Sequence, residues 1–137
     1  MIYGAPQAPG PEQLRDSLGQ CESLRAWALL RGLELDPVPE DLTLLDEAID
    51  QAIAEYGPHA PMSLEGNDAG LFLGTVIVST IRGAHWRLWP NGHPVVRLAS
   101  GRDLDVVALG HDRVHTGQPR LTEVYTDAAA TDPGSQT

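Results

Sequence analysis

Residues 67–81, NDAGLFLGTVIVSTI, form the longest apolar run of the chain and carry a single charge, Asp68, at the front. Glycines stand at 66, 70 and 74, a spacing of four that puts them in one row on a helix. Each glycine inside a helix costs roughly 0.5–1 kcal/mol against alanine, so a row of them implies close approach of another backbone as the return. Leu71, Phe72, Leu73, Val76, Ile77 and Val78 cover the rest of the circumference, the pattern of a helix buried on all sides. Thr75, Val76, Ile77, Val78, Thr80 and Ile81 are β-branched and favour a strand instead. Length decides against that, because about 15 residues is long for a strand. Asn67 suits an N-cap, Asp68 the positive end of the helix dipole, and Gly83 the far end. We therefore expect a buried central helix over residues 67–82.

Two helices precede it. Pro11 can open the first, which carries an apolar stripe of Leu14, Leu18, Cys21, Leu24 and Ala28, widened by Trp27 and Leu30, and ends at Gly32. Cys21 falls on that stripe and reads as a small core residue. Pro39 starts the second, with Leu42, Leu45, Ile49, Ala52 or Ile53, and Tyr56 facing inward and Gly57-Pro58 stopping it. Its other face holds Glu40, Asp41, Asp46, Glu47, Asp50 and Glu55. The later of these acids do not help the helix dipole. They read either as a solvated face or as an acidic surface for a basic partner, with Asp46, Glu47 and Asp50 at its centre.

After Gly83 the period changes from helical to alternating. In AHWRLWPNGHPVVRL, residues 84–98, Pro90-Asn91-Gly92 marks a tight turn. A short loop with a glycine bulge pairs Trp89 with His93, Leu88 with Pro94, Trp86 with Val96 and Ala84 with Leu98. That register puts every apolar pair on one face, whereas a slip of one residue would mix the two. The opposite face then holds His85, Arg87, Trp89, His93, Val95 and Arg97. A second turn at Ser100-Gly101-Arg102 would set Leu98 against Leu104 and Val96 against Val106 in a short third strand. Helices over 107–116 and 121–129 follow. The expected fold is α+β: a small antiparallel sheet, made of a hairpin and a short third strand, packed by helices around the central one. We expect one domain over residues 11–130, a mobile tail over 1–10 and a disordered tail over 131–137.

Charge narrows the function. The net charge is −10, and residues 32–81 alone carry ten acids and no arginine, while residues 82–120 carry six arginines against three aspartates. Such a field repels nucleic acid and anionic membrane, so neither is an expected partner. The apolar run is too short to span a membrane, where about 20 residues are needed. The N-terminal MIYGAPQAPGP has neither a basic region nor an apolar core, so no secretion signal is expected. One cysteine permits no internal disulfide and fits a reducing cytoplasm.

The surface with the strongest recognition chemistry is the outer hairpin face. Arginine and tryptophan dominate binding hot spots, and Arg87 and Arg97 could each grip a carboxylate or phosphate in forked geometry. His85, Arg87, Trp89, His93 and Arg97 are therefore the expected contact residues for a partner or an anion. His111 and His115, four apart on a helix, have metal-ligand spacing, but a zinc site needs a third protein ligand. No metal and no cofactor is expected. Asp103 and Asp105 alternate beside a turn without an obvious partner. No P-loop, GxGxxG, CxxC or nucleophile elbow is present.

The stretches GNDAGLFLGTVIV and GAHWRLWPNGHPVVRLASGRDLDVV together resemble a family of small acidic proteins of unknown function from high-GC bacteria, over roughly residues 20–130. The resemblance implies one compact domain in a bacterial cytoplasm and carries no catalytic residue with it. The expected function is a non-catalytic protein-binding or regulatory module. Its partner would be a protein, either a basic one met by the acidic helix, as for an immunity or inhibitor protein, or a second copy of the chain. The competing class is a small hydrolase or metal-dependent enzyme using His85, His93, His111, His115 and Asp105.

Overall fold

The apolar run folds as a helix, and its glycines are where the rest of the molecule comes closest. The computed structural model describes residues 18–56 and 66–131. In chain order these form α1 (Glu22–Leu30), α2 (Pro39–Tyr56), α3 (Gly66–Thr80), β1 (His85–Leu88), β2 (Pro94–Arg97), β3 (Asp103–Leu104), α4 (Val106–Thr116) and α5 (Leu121–Thr131). The architecture is α+β, with the strands in one antiparallel sheet of order β1-β2-β3. The expected tail over 1–10, the expected helix start at Pro11 with Leu14, and the loop over 57–65 lie outside the described residues; of the expected tail over 131–137, Thr131 belongs to α5 and the rest lies outside them as well.

Helix α3 is the central rod. Ala69, Phe72, Leu73, Val76 and Ile77 have no accessible surface. Its threonines turn their hydroxyls back onto the helix: buried Thr75 Oγ1 donates to the Leu71 carbonyl at 2.8 Å, and exposed Thr80 Oγ1 to the Val76 carbonyl at 2.7 Å. A Cβ at Gly70 would overlap the backbone carbonyl of Val106, and a Cβ at Gly74 would overlap the Trp86 ring. The bare flank thus receives the first turn of α4 and the indole of β1. Among the described residues no helix is long and apolar enough to cross a membrane.

The first helix departs from expectation. Instead of one helix to residue 31, the chain breaks at Gly19 and Gln20, and Cys21 takes a left-handed conformation (φ 44°) before α1 begins. Two side chains explain the break. Arg25 donates to the carbonyls of Gln20 at 2.9 Å and Leu35 at 2.5 Å, and so occupies an oxygen that a continuous helix would use. The freed Leu24 N–H donates to Asp68 Oδ2 of α3 at 3.1 Å. Asp68 thereby caps α1 from another helix. At the other end the chain leaves α1 through Gly32, with Leu33 N–H returned to the Ala28 carbonyl and Gly32 N–H to Leu29.

A second pair of helices is joined by buried charge. Asp46 of α2 and Arg113 of α4 are both inaccessible to solvent. Asp46 accepts from Arg113 Nε at 2.9 Å, from the Leu121 and Thr122 N–H groups at 3.0 Å each, and from Thr122 Oγ1 at 3.0 Å. The carboxylate therefore also caps the N-terminus of α5. Arg113 is completed by the Asp46 carbonyl at 3.0 Å and Asp50 Oδ1 at 2.6 Å, and Arg120 holds the other Asp50 oxygen at 2.6 Å.

The first hairpin has the expected register, Trp86 with Val96 and Leu88 with Pro94. The third strand does not: Val96 faces Leu104, and Arg97 faces Asp103. The turn is tighter than expected, since Leu98 N–H meets the Arg102 carbonyl at 2.9 Å with Gly101 at φ 94°. This shift of two residues keeps Leu104 on the apolar face. It releases Val106 from the sheet, because Asp105 caps α4 by accepting the Ala108 N–H at 3.1 Å.

Two substitutions test this architecture in urea unfolding. Gly70→Ala should destabilise despite the better helix propensity, by about 1–3 kcal/mol, because the displaced neighbour is backbone. Asp46→Ala should cost about 3–5 kcal/mol by stranding buried Arg113, while Glu47→Ala on the exposed side should stay within about 0.5 kcal/mol of wild type.

Candidate functional site

The hairpin tip is built before any function can use it. Gly92 supplies the positive φ (86°) of the turn, its N–H donating to the Trp89 carbonyl at 2.8 Å. His93 N–H donates to Asn91 Oδ1 at 3.0 Å, and Trp89 N–H to the His93 carbonyl at 3.0 Å. These bonds bring the Trp89 and His93 rings to a centroid separation of 5.5 Å.

Strand β3 then locks the outer face of the sheet. Asp103 accepts Arg97 Nε at 2.7 Å and Nη2 at 3.1 Å in a forked pair, and the Trp89 indole N–H at 3.0 Å. The Arg97 and Trp89 hydrogen bonds hold the Asp103 carboxyl below its ordinary value, at about 2, with the nearby charge of Arg87 adding to the effect. Two residues on, His93 Nε2 lies 2.7 Å from Asp105 Oδ1, the same oxygen that caps α4. The two aspartates are thus separate posts rather than an acid–base pair.

The expected contact residues divide accordingly. His85 and Arg87 are exposed, and among the described residues Arg87 has no hydrogen-bond or ion-pair partner. Trp89 and His93 are half-buried and pinned. Arg97 is not free to fork an outside anion, because Asp103 already fills its guanidinium edge. Val95, on the same face, is fully buried.

The acidic helix surface needs a larger correction. Asp46 is interior, and Asp50, though part-exposed, is held by Arg113 and Arg120, so of the three Glu47 stands exposed without such an engagement. Burial opposes ionisation of Asp50, but the hydrogen bonds from the two guanidinium groups outweigh it and lower its pKa. A signal for Asp46 was present in the spacing: it lies four residues after Leu42 and three before Ile49, on the apolar stripe. Arg113 likewise falls on the buried stripe of α4, with Val106, Val107, Gly110 and Val114.

The residues of the enzyme reading do not converge. Of His85, His93, His111, His115 and Asp105, the structure hydrogen-bonds His93 to Asp105 and stacks His111 on His115, and it does not bring the two pairs together with His85. His111 and His115 stack with parallel rings 6.0 Å apart, both exposed, and among the described residues no group of three metal-binding side chains forms. Burial, reinforced by Asp68, pushes the Cys21 thiol up to about 12, so it is no nucleophile. Two clefts of about 640 and 350 Å³ lie elsewhere, and neither is lined by a histidine.

This combination, a helical frame around one glycine-flanked rod with a pinned tryptophan hairpin, defines a small α+β protein. The chain belongs to the DUF6278 family, a family of unknown function, whose sequence model matches residues 3–131. No curated protein and no solved structure matches it.

The Asp103 arrangement carries a pH signature. Its folded pKa of about 2 lies below the ordinary 3.8, so its stabilisation is fully present above pH 4 and is lost as pH falls toward 2. The stability difference between wild type and Asp103→Asn in urea should therefore shrink across that window. A difference that stays constant down to pH 2 would show that Asp103 is not held by these partners.

Proposed function

We propose that this protein is a non-catalytic binding module that docks another protein on the outer face of its first hairpin, around Trp89 and Arg87. The observation that carries this reading is the state of Trp89. Its indole is part-exposed yet fixed by Asp103, so little conformational freedom remains to be lost on binding. Beside it Arg87 offers an unpaired guanidinium, which suits a carboxylate of the partner.

The lone, inert thiol agrees with action in a reducing cytoplasm. A role as an inhibitor of a basic enzyme would now rest on Glu40, Glu47 and Glu55, the acids of α2 that remain exposed. The hydrolase reading is weaker, because the His93–Asp105 pair serves to fasten the hairpin tip to the cap of α4.

The test is quantitative affinity capture from the native cell with wild type, Trp89→Ala, Arg87→Ala and, as control, Glu47→Ala. A docking partner should be depleted about tenfold or more by both hairpin variants, as for central hot-spot residues, and retained by the control. Partners retained undiminished by Trp89→Ala and Arg87→Ala would overturn the proposal.

A further inference from the structure

The larger of the two clefts, about 640 Å³, is lined by residues of β3, α4, α5 and the connection between the two helices. Its floor is apolar: Leu104 from β3, Leu109 from α4, and Val124 from α5, with Pro119 closing one end. Leu104 and Val124 also pack on the main core, so this floor is fixed by the fold. The volume falls within the range of about 300–1,000 Å³ usual for small-molecule sites.

The rim is polar and unequal in charge. Arg102 stands on one wall, Glu123 and Asp127 on the other. Arg102 Nη2 reaches Asp127 Oδ2 at 3.1 Å, so that cation is engaged by a neighbouring carboxylate. Glu123 accepts the neutral Arg120 N–H through Oε1 at 3.0 Å; the Arg120 guanidinium acts on it only at longer range, its own hydrogen bond going to Asp50. The rim therefore carries an excess negative charge over an apolar floor, within a chain whose net charge of −10 raises the local concentration of cations.

We infer that this cleft binds an amphipathic organic cation, a primary ammonium on an apolar body, with the body against Leu104, Leu109 and Val124 and the ammonium at Glu123. The inference is independent of the hairpin proposal, since none of these residues belongs to that face. Neutral compounds of the same shape would gain the floor contacts without the charge term. Carboxylates of the same shape would meet the Glu123 field.

The experiment is an amide chemical-shift titration of the full chain with hexylamine, hexanol and hexanoate. Hexylamine should give saturable shifts centred on Leu104, Leu109, Val124 and Asp127, with hexanol weaker and hexanoate weakest. Glu123→Gln should weaken hexylamine about two- to fivefold, the scale of an exposed ion pair, and leave hexanol unchanged. Val124→Trp, which fills the floor, should abolish both, and the wild-type ranking of the three probes stands as the test if that variant does not fold. Absence of saturable shifts, shifts centred elsewhere, equal or tighter binding of hexanoate, or no effect of Glu123→Gln on hexylamine would each overturn the inference.

Discussion

On one flank of α3 two successive turns carry no side chain, and the second half of the molecule is seated there. Gly70 admits the carbonyl of Val106, and Gly74 admits the Trp86 ring. Contacts this close cannot be shared with a methyl group, because interiors are packed near crystal density. The first places the N-terminus of α4; the second places the sheet. From those two positions the hairpin face follows, since Asp105, one residue before Val106, is the post for His93. The arrangement has a cost as well: Trp86 Nε1 is buried without a hydrogen-bond partner among the described residues, a loss on the order of 1–3 kcal/mol.

The acidity of the chain has an interior use. Asp68, Asp46 and Asp105 each accept N–H groups at the start of a helix, α1, α5 and α4 respectively. Two of those caps come from a different helix, so they fix tertiary geometry as well as local structure. For Asp46 the desolvation cost is offset by Arg113 and by three further donors. Part of the negative charge is thus spent inside the fold, Asp46 wholly so. That is why our proposal rests on the hairpin and not on the acidic helix.

Within the hairpin face, the same logic separates framework from contact. Arg97 and Asp103 neutralise one another and hold Trp89; His93 and Asp105 hold the tip. What remains for the docking we propose is the exposed part of the Trp89 ring, Arg87 and His85. Rigid aromatic surface beside a free guanidinium is the chemistry of recognition, and the histidine–aspartate pair reads as a fastening.

Local pattern was enough for much of the architecture. The α+β class, the bounds of α2, the central helix and its bare flank, the Pro-Asn-Gly hairpin with its register, and α4 ending at Gly117 all follow from periodicity, capping residues and turn chemistry, which act between neighbours in sequence. Tertiary structure decided the rest: the break before α1, the two-residue shift of β3, the burial of Asp46 and the capture of Arg97 by Asp103. Each depends on a donor meeting an acceptor from another element. A charged residue on an apolar stripe does not announce whether a partner will arrive to keep it there.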